Sequence, residues 1–589
     1  MKVLLLHPED ELPSQLSQSW DLVVDLGRAP AATYEQQSKH AGCRIVSLAD
    51  YAHGFEDIYR IKPTFAQGNG LVVDKFGIDW WDVLLPMLST HLERSFMLVT
   101  LARELGDHVE LYSSRPDSYV TALQRFLGID RVTVVGESSS LTRRIQHYRT
   151  AFSRLDWNQL TQIAQDKFDS QHKLRKRLSR KFSGGGERFF LLPTAYINVS
   201  RTAVSYAELL PDEKFLLVVA RPGGKLAPLP ANVCMISLDP YFEPIDRSEL
   251  AELMEKWETL KRRLVETVPE FRMAETLGIF EYGSQVMRWA LAARDAWIRL
   301  FDSENIAGCL SADDVNPYTS LPIFIAARRN IPTLAVHHGA LDYRMSMKPL
   351  TADFYLAKGD LEYDYLLETC RVDRGRVVMG GPSYVSPAPI TSTKKSWLVF
   401  FTEPYGTAGW RIENVYEDLL PHLIALSREC GLDLVFKLHP FESIKGHKNL
   451  VQKFLSRDDF NRVRWIAGPT TPKLWNNVKF GMTVESTIAL ECAIRQIPIF
   501  LCTWLRSTYG GYPQQYAKFG VGHILNAPHE MKEVPRLLAG SKKCESAAAG
   551  HIWQTMKPAE LQSLLSGNHR CGATTPAQAV CPAPTTAKQ

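Results

Sequence analysis

Short apolar runs recur along the chain, each closed by a polar or turn-forming cluster, with helix-period segments between them. In the first third, Val3–Leu6, Leu22–Val24, Arg44–Val46, Val109–Leu111 and Val132–Val135 have the length and composition of buried strands. Trp80–Leu105 and Tyr119–Leu127 carry helical spacing instead. This alternation predicts a parallel sheet with helices on its faces. Trp80, Trp81 and Met97 fall on the apolar helical positions and read as core; a helical face is also where a bulky acceptor could rest.

The pattern breaks over about 141–188. The run His172-Lys-Leu-Arg-Lys-Arg-Leu-Ser-Arg-Lys-Phe182 sets Leu174, Leu178 and Phe182 on one helical side with cations around them. It reads as a solvated basic helix before the linker Ser183–Gly186, or as a peripheral contact with an anionic membrane. The glycines lack the spacing and the preceding strand of a dinucleotide loop.

Strands resume at Phe189–Leu192 and Phe215–Ala220. Between them, Tyr196 to Thr202 is a polar cluster, where Asn198 and Arg201 could position substrate, or Asn198 and Ser200 could cap the next helix. Ile306–Leu310 then runs into Asp313 and Asp314, the helix Tyr318–Arg329 follows, and Ile331–Val336 ends in His337-His338-Gly339. A βαβ unit of this kind puts both strand ends on one sheet edge, so two acids and two histidines share it. That suits a general base with a nearby proton donor or cation. Asp314 also fits the N-cap of the helix.

Residues 383–395 are rich in Pro, Ser and Thr and read as a linker. Beyond it, the strand Trp397–Phe401 leads to Thr402 and Glu403, in a loop of the type that receives phosphate. The strand from Leu434 ends at His439-Pro440-Phe441-Glu442, and the strand from Val478 delivers Glu485, Ser486 and Thr487 to the start of an apolar helix. Hydroxyls and unpaired N–H groups at a helix start suit an anion.

Length, charge and cysteines narrow the reading. A chain of 589 residues needs two or three domains. A net charge of +4 gives no global signal for nucleic acid, and no apolar run reaches the roughly 18 residues of a membrane span. The ten cysteines form no CxxC pair, so neither a zinc site nor a disulfide framework is expected. The divisions are therefore an N-terminal α/β domain over 1–382 with the basic insertion over about 141–188, the linker, a C-terminal α/β domain over 396–565, and a disordered tail over 566–589.

Three motifs carry a family resemblance over roughly Ile306 to Leu501. The run Ala335–Gly339, Asp353–Gly359, Val377–Pro382 is similar to one in CDP-glycerol glycerophosphotransferases and their capsule relatives. Lys437-Leu-His439-Pro440 resembles the His-Pro motif that those enzymes share with bacterial sialyltransferases and capsule Kdo transferases, and Thr483–Thr487 resembles their Ser/Thr motif. The resemblance implies a GT-B fold, α/β with two Rossmann-like domains facing across a cleft. It implies a cytoplasmic glycosyltransferase, peripheral on the inner face of the membrane. The donor is a nucleotide-activated sugar, with a CMP-sugar one option, and the acceptor a surface glycan or lipid-linked glycan. No cofactor or metal is required, and no nucleic acid is involved. His439, Pro440, Ser486 and Thr487 would meet the nucleotide and its phosphates, and Glu485 a hydroxyl. The base is Asp313 or Asp314 in the sialyltransferase pattern and His338 in the glycerophosphotransferase pattern; the sequence carries both. CDP-polyol phosphotransfer, a non-catalytic scaffold and a sugar-nucleotide epimerase are the alternatives.

Overall fold

A computed structural model describes residues 1–7, 20–27, 42–51, 68–115, 117–135, 181–221, 228–339, 341, 350–384, 395–403, 412–439, 442–505, 512–540 and 551–568. The basic run up to residue 180, Pro440, Phe441, most of the linker and the tail from 569 lie outside them.

The chain builds three parallel sheets. The first holds β1 (Lys2–Leu6), β2 (Leu22–Asp25), β3 (Arg44–Ser47), β4 (Glu110–Ser113) and β5 (Thr133–Val134), in the order β3-β2-β1-β4-β5. The second holds β6 (Arg188–Thr194), β7 (Phe215–Val219), β8 (Val233–Ser237), β9 (Asn305–Ser311), β10 (Thr333–Val336), β11 (Phe354–Ala357) and β12 (Val377–Met379), in the order β12-β11-β10-β9-β6-β7-β8. The third holds β13 (Trp397–Phe401), β14 (Asp433–Lys437), β15 (Arg464–Ile466), β16 (Val478–Thr483), β17 (Ile499–Cys502) and β18 (His523–Leu525), in the order β15-β14-β13-β16-β17-β18. The second and third sheets are the two Rossmann-like halves of the GT-B arrangement. Strand order reverses between β6 and β9 in one and between β13 and β16 in the other, the places where open α/β sheets take ligands.

The stretch 1–382 thus contains two sheets, and one apolar core joins them. Helix α1 (Trp80–Leu105), capped by Asp79, fills the space between them. Trp80, Trp81 and Met97 are fully buried in it. Trp81 packs on Trp257 of α2 (Arg247–Thr267) and on Phe271, with ring centroids 6.1 Å apart in both pairs. A buried ion cluster pins the same contact: Arg294 of α3 (Ile279–Ser303) donates to Asp74 at 2.7 Å and to both oxygens of Glu249 at 2.7 and 2.9 Å. Removing one member of such a cluster strands a buried charge, which costs about 3–5 kcal/mol.

The end of the chain differs from the expected division. Residues 551–568 leave the third sheet and pack on the second, where helix α4 (Pro558–Leu565) joins the core of Phe190, Leu310 and Leu334. Backbone bonds tie Gln554 N to the Lys358 carbonyl and Gly381 N to the Gln554 carbonyl, each at 2.7 Å. This crossing explains glycines that the sequence marks only through the family resemblance. A Cβ on Gly359 would lie 2.1 Å from the Ile552 carbonyl oxygen, and one on Gly380 2.1 Å from Met556 Sδ. They are small so that the returning segment can cross the sheet edge.

The basic run is also altered at its end. Phe182, the third of its apolar residues, packs on Phe189 at 5.7 Å between centroids, so it belongs to the fold and offers no membrane anchor. Among the described residues no helix is long and apolar enough to cross a membrane.

Candidate functional site

The second sheet contributes one wall. Strand β6 ends at Thr194 and β9 at Ser311, either side of the switch point. The loops that follow are joined across it: the Tyr196 hydroxyl donates to Asp313 Oδ2 at 2.5 Å. Asp313 is almost fully buried, and its Oδ1 accepts from Val315 N at 3.0 Å. Helix α5 (Ile197–Ala207) begins after Tyr196. Asn198 and Ser200 do not cap it; Asn198 is half-buried in its first turn, and the Ser200 hydroxyl lies 2.6 Å from Thr194 Oγ1. Arg201 is exposed on the same helix, its guanidinium 4.5 Å over the Tyr384 ring.

His338 comes from the end of β10. Its backbone N–H donates to the Ala312 carbonyl at 3.1 Å, and its Nδ1 lies 3.2 Å from the same oxygen. A carbonyl only accepts, so Nδ1 carries the proton and Nε2 the lone pair. The ring sits edge-on to Tyr196, centroids 5.3 Å apart, and against the buried His337 at 5.1 Å. Beneath this turn the buried Lys358 ammonium donates to the Gly339 carbonyl at 3.1 Å and to Glu362 at 2.7 Å. That pair fixes the turn and with it the histidine.

The two acids part company. Asp314 does not join Asp313 at Tyr196; it faces Tyr355 and lines a separate pocket with Asp82 of α1. Nor does Asp314 cap the helix after it. The cap of α6 (Pro317–Arg328) is Asn316, whose Oδ1 accepts from Tyr318 N.

The third sheet contributes the facing wall. Burial pushes His439 down to about 4, and the positive charge of Lys437 and His338 add to the shift. His338 and His439 therefore lie within electrostatic reach of each other, one from each sheet. Lys437, buried at the end of β14, is pushed down to about 8 by burial and by Arg201, against the pull of Glu491 and Glu442. Burial also raises Glu491, which the charges of Arg495, Arg201 and Lys437 oppose. Arg201 of α5 thus acts electrostatically on Lys437 and Glu491 of the third sheet's half. Lys437 and Tyr196 stand in motifs quoted from the sequence but were given no role of their own, and Glu491 was not singled out. A lysine inside the apolar strand Leu434–Leu438 was the available signal.

The His439 turn is held from below. Its N–H donates to Thr402 Oγ1 at 3.0 Å and to Glu442 Oε2 at 3.1 Å, and Thr402 also donates to that carboxyl. Burial raises Glu442 to about 7 despite these bonds. Thr402 and Glu442 are thus supports of the turn.

Glu403 has the most distinctive place. Its Oε1 accepts from the Thr483 hydroxyl at 3.0 Å and from the N–H groups of Val484, Glu485 and Ser486 at 3.0, 2.9 and 3.1 Å. It spans the β13–β16 switch point and fills the nest of donors that sequence reading gave to a phosphate. Burial raises this carboxyl, and the four donors oppose that. Because they converge on Oε1, any proton sits on Oε2. The Glu485 carbonyl accepts from the Tyr516 hydroxyl at 3.3 Å, and Ser486 Oγ from Ile488 N at 3.4 Å. Thr487 makes no side-chain cap bond.

Among the described residues, no group of three or more His, Cys, Asp or Glu side chains could hold a metal ion.

No family model matches the chain, and no curated protein matches it. Solved structures do resemble it. The MnaA–UDP complex of S. aureus aligns at a TM-score of 0.37 and 13% identity over 63% of this chain and 92% of that one. The UDP-GlcNAc 2-epimerase of Neisseria meningitidis bound to UDP-GlcNAc aligns at 0.38 and 11%, over 65% and 98%. A variant of the wall teichoic acid polymerase TagF aligns at 0.36 and 12%, over 72% and 97%. Likeness at this level assigns neither substrate nor residue.

Proposed function

We propose that the protein is a glycosyltransferase that moves a sugar from a nucleotide-activated donor onto a hydroxyl of a cell-surface polysaccharide or glycolipid. One observation supports the reading: His338 at the end of β10 bears electrostatically on His439 beyond β14, and Arg201 on Lys437. A cleft lined by these groups can hold an anionic donor and an uncharged acceptor at once. His338 Nε2 takes the acceptor proton as the new bond to the sugar carbon forms. The bond from that carbon to the phosphate oxygen breaks, and Arg201 and Lys437 meet the departing charge. His439, neutral above about pH 4, donates a hydrogen bond to the same phosphate. Glu403 occupies the backbone nest, so the side chains of the cleft carry the phosphate.

A second reading, transfer of a CDP-activated polyol phosphate, is favoured by one feature. Both oxygens of Asp313 are engaged, by Tyr196 and by Val315, which leaves His338 as the better base. That is the base implied by the glycerophosphotransferase resemblance. The product separates the readings: a glycosidic bond or a phosphodiester.

The test is thermal stability against CMP, CDP, UDP, GDP, dTDP and ADP, with and without Mg²⁺. A ligand that binds only the folded state raises the melting temperature. The expected result is a shift with one nucleotide that His439→Ala abolishes. No shift with any of them contradicts the reading and favours a scaffold.

A further inference from the structure

Tyr384 stands a few residues past β12, where the chain leaves the second sheet for the third. The Arg201 guanidinium carbon lies over its ring, 4.5 Å from the centroid. The transfer chemistry gives this tyrosine no part.

Both sides of the contact are otherwise uncommitted. Among the described residues, none takes a hydrogen bond or an ion pair from Arg201, and none bonds to the Tyr384 hydroxyl. The ring is therefore what Tyr384 offers the arginine. A guanidinium stacked on a ring uses its flat face. Its N–H donors point outward in the plane and stay open to an anion.

The ring is itself held. Trp553 of the returning segment meets it edge-on, centroids 6.1 Å apart, and Trp553 Nε1–H donates to the Pro382 carbonyl at 3.1 Å. The Ser383 hydroxyl donates to the Ser205 carbonyl at 2.8 Å, and the Tyr206 hydroxyl to the Gly380 carbonyl at 2.6 Å. Ser205 and Tyr206 belong to α5, the helix that carries Arg201. The turn over 380–384 is thus fastened to the same helix as the arginine, which fixes the ring relative to it.

Arg201 is exposed, yet it acts on Lys437 and Glu491 of the third sheet's half. An arginine loose in solvent spreads over many rotamers, and ordering it when a ligand arrives costs entropy. A fixed ring beneath it removes part of that cost beforehand. We propose that Tyr384 is a positioning residue for the donor phosphate: its ring holds the Arg201 guanidinium flat, so that the N–H edge is presented to the anion. The identity of the anion rests on the transferase reading; its charge does not.

Calorimetric titration of the full chain tests this, with pyrophosphate and with CMP, CDP, UDP, GDP, dTDP and ADP as probes. Tyr384→Ala should weaken binding about fivefold, the size of an exposed cation–π contact. Tyr384→Phe keeps the ring and should bind within about twofold of the wild type. In an Arg201→Ala background, Tyr384→Ala should cost nothing further, because its effect passes through the arginine. A merely structural loss would be the same in both backgrounds. Nucleotide binding that Tyr384→Ala leaves unchanged, losses that add in full, or a Phe variant as weak as the Ala variant overturns the proposal and leaves the transferase reading standing. The expected pattern with pyrophosphate, but no binding of any nucleotide, keeps the arginine platform and removes the transferase reading. Absence of binding by every probe removes both.

Discussion

The second and third sheets share one topology and use it in opposite ways. At the β6–β9 switch point a carboxylate and a phenol bond to each other, Tyr196 to Asp313, and a histidine stands beside them. At the β13–β16 switch point the carboxylate of Glu403 turns inward and takes the backbone donors itself. The first crevice keeps its ionisable side chains at the strand ends themselves. The second fills its crevice with structural bonds, and its ionisable groups Lys437 and His439 stand at the neighbouring strand end. A shared topology thus places the site only to within one strand.

Glu403→Ala gives the largest expected effect on this contrast. It leaves three N–H groups without their acceptor, while the Thr483 hydroxyl keeps the Phe401 carbonyl at 3.2 Å, and should cost about 3–5 kcal/mol of stability, read by denaturant unfolding. Asp313→Ala loses fewer donors and should cost about 1–3 kcal/mol. Equal costs would end the distinction between the two crevices. Next, His338→Gln should lower kcat on the order of 100-fold while the nucleotide-induced melting shift persists. A lost shift would place His338 in donor binding instead.

The third expectation concerns pH. Burial holds His447 down to about 4, so its folded state stays neutral where the unfolded chain is protonated. Its contribution to stability is present above about pH 6.5 and is lost as pH falls toward 4. Glu442, raised to about 7, acts with the opposite sign: its contribution is present below about pH 4.5 and lost as pH rises through 7. His447→Phe should flatten the acid loss by up to about 1.4 kcal/mol per pH unit, measured as unfolding free energy between pH 4.5 and 6.5. Glu442→Gln should steepen it. The smallest effect is that of Tyr196→Phe. Loss of its bond to Asp313 is worth about 1 kcal/mol and should slow kcat roughly fivefold.

Much of the fold was legible because parallel strands buried on both faces leave unbroken apolar runs. Thr333–Val336, Trp397–Phe401 and Ile499–Cys502 stand where those runs predict them. Strand ends were legible for the same reason, and with them the positions of His338 and His439 just after β10 and β14. What stayed hidden depends on distance along the chain or on direction. Nothing local tells that Glu403 bonds to residues some 80 positions later, or that Gly359 is small for the sake of Ile552. Asp313 and Asp314 look alike in sequence, yet the backbone turn after β9 sends one to Tyr196 and the other to the pocket with Asp82. The returning segment 551–568 has ordinary helical patterning, which does not say which sheet it covers.

A donor phosphate in the proposed cleft would meet Arg201 from one wall and His439 from the other. Calorimetric titration with the nucleotide that gives the largest melting shift tests it directly, in the wild type, Arg201→Ala and His439→Ala. Each substitution should weaken binding at least about tenfold, since each removes a proposed partner of the phosphate. Unchanged affinity in Arg201→Ala would confine the nucleotide to the third sheet alone and contradict a donor site shared across the cleft.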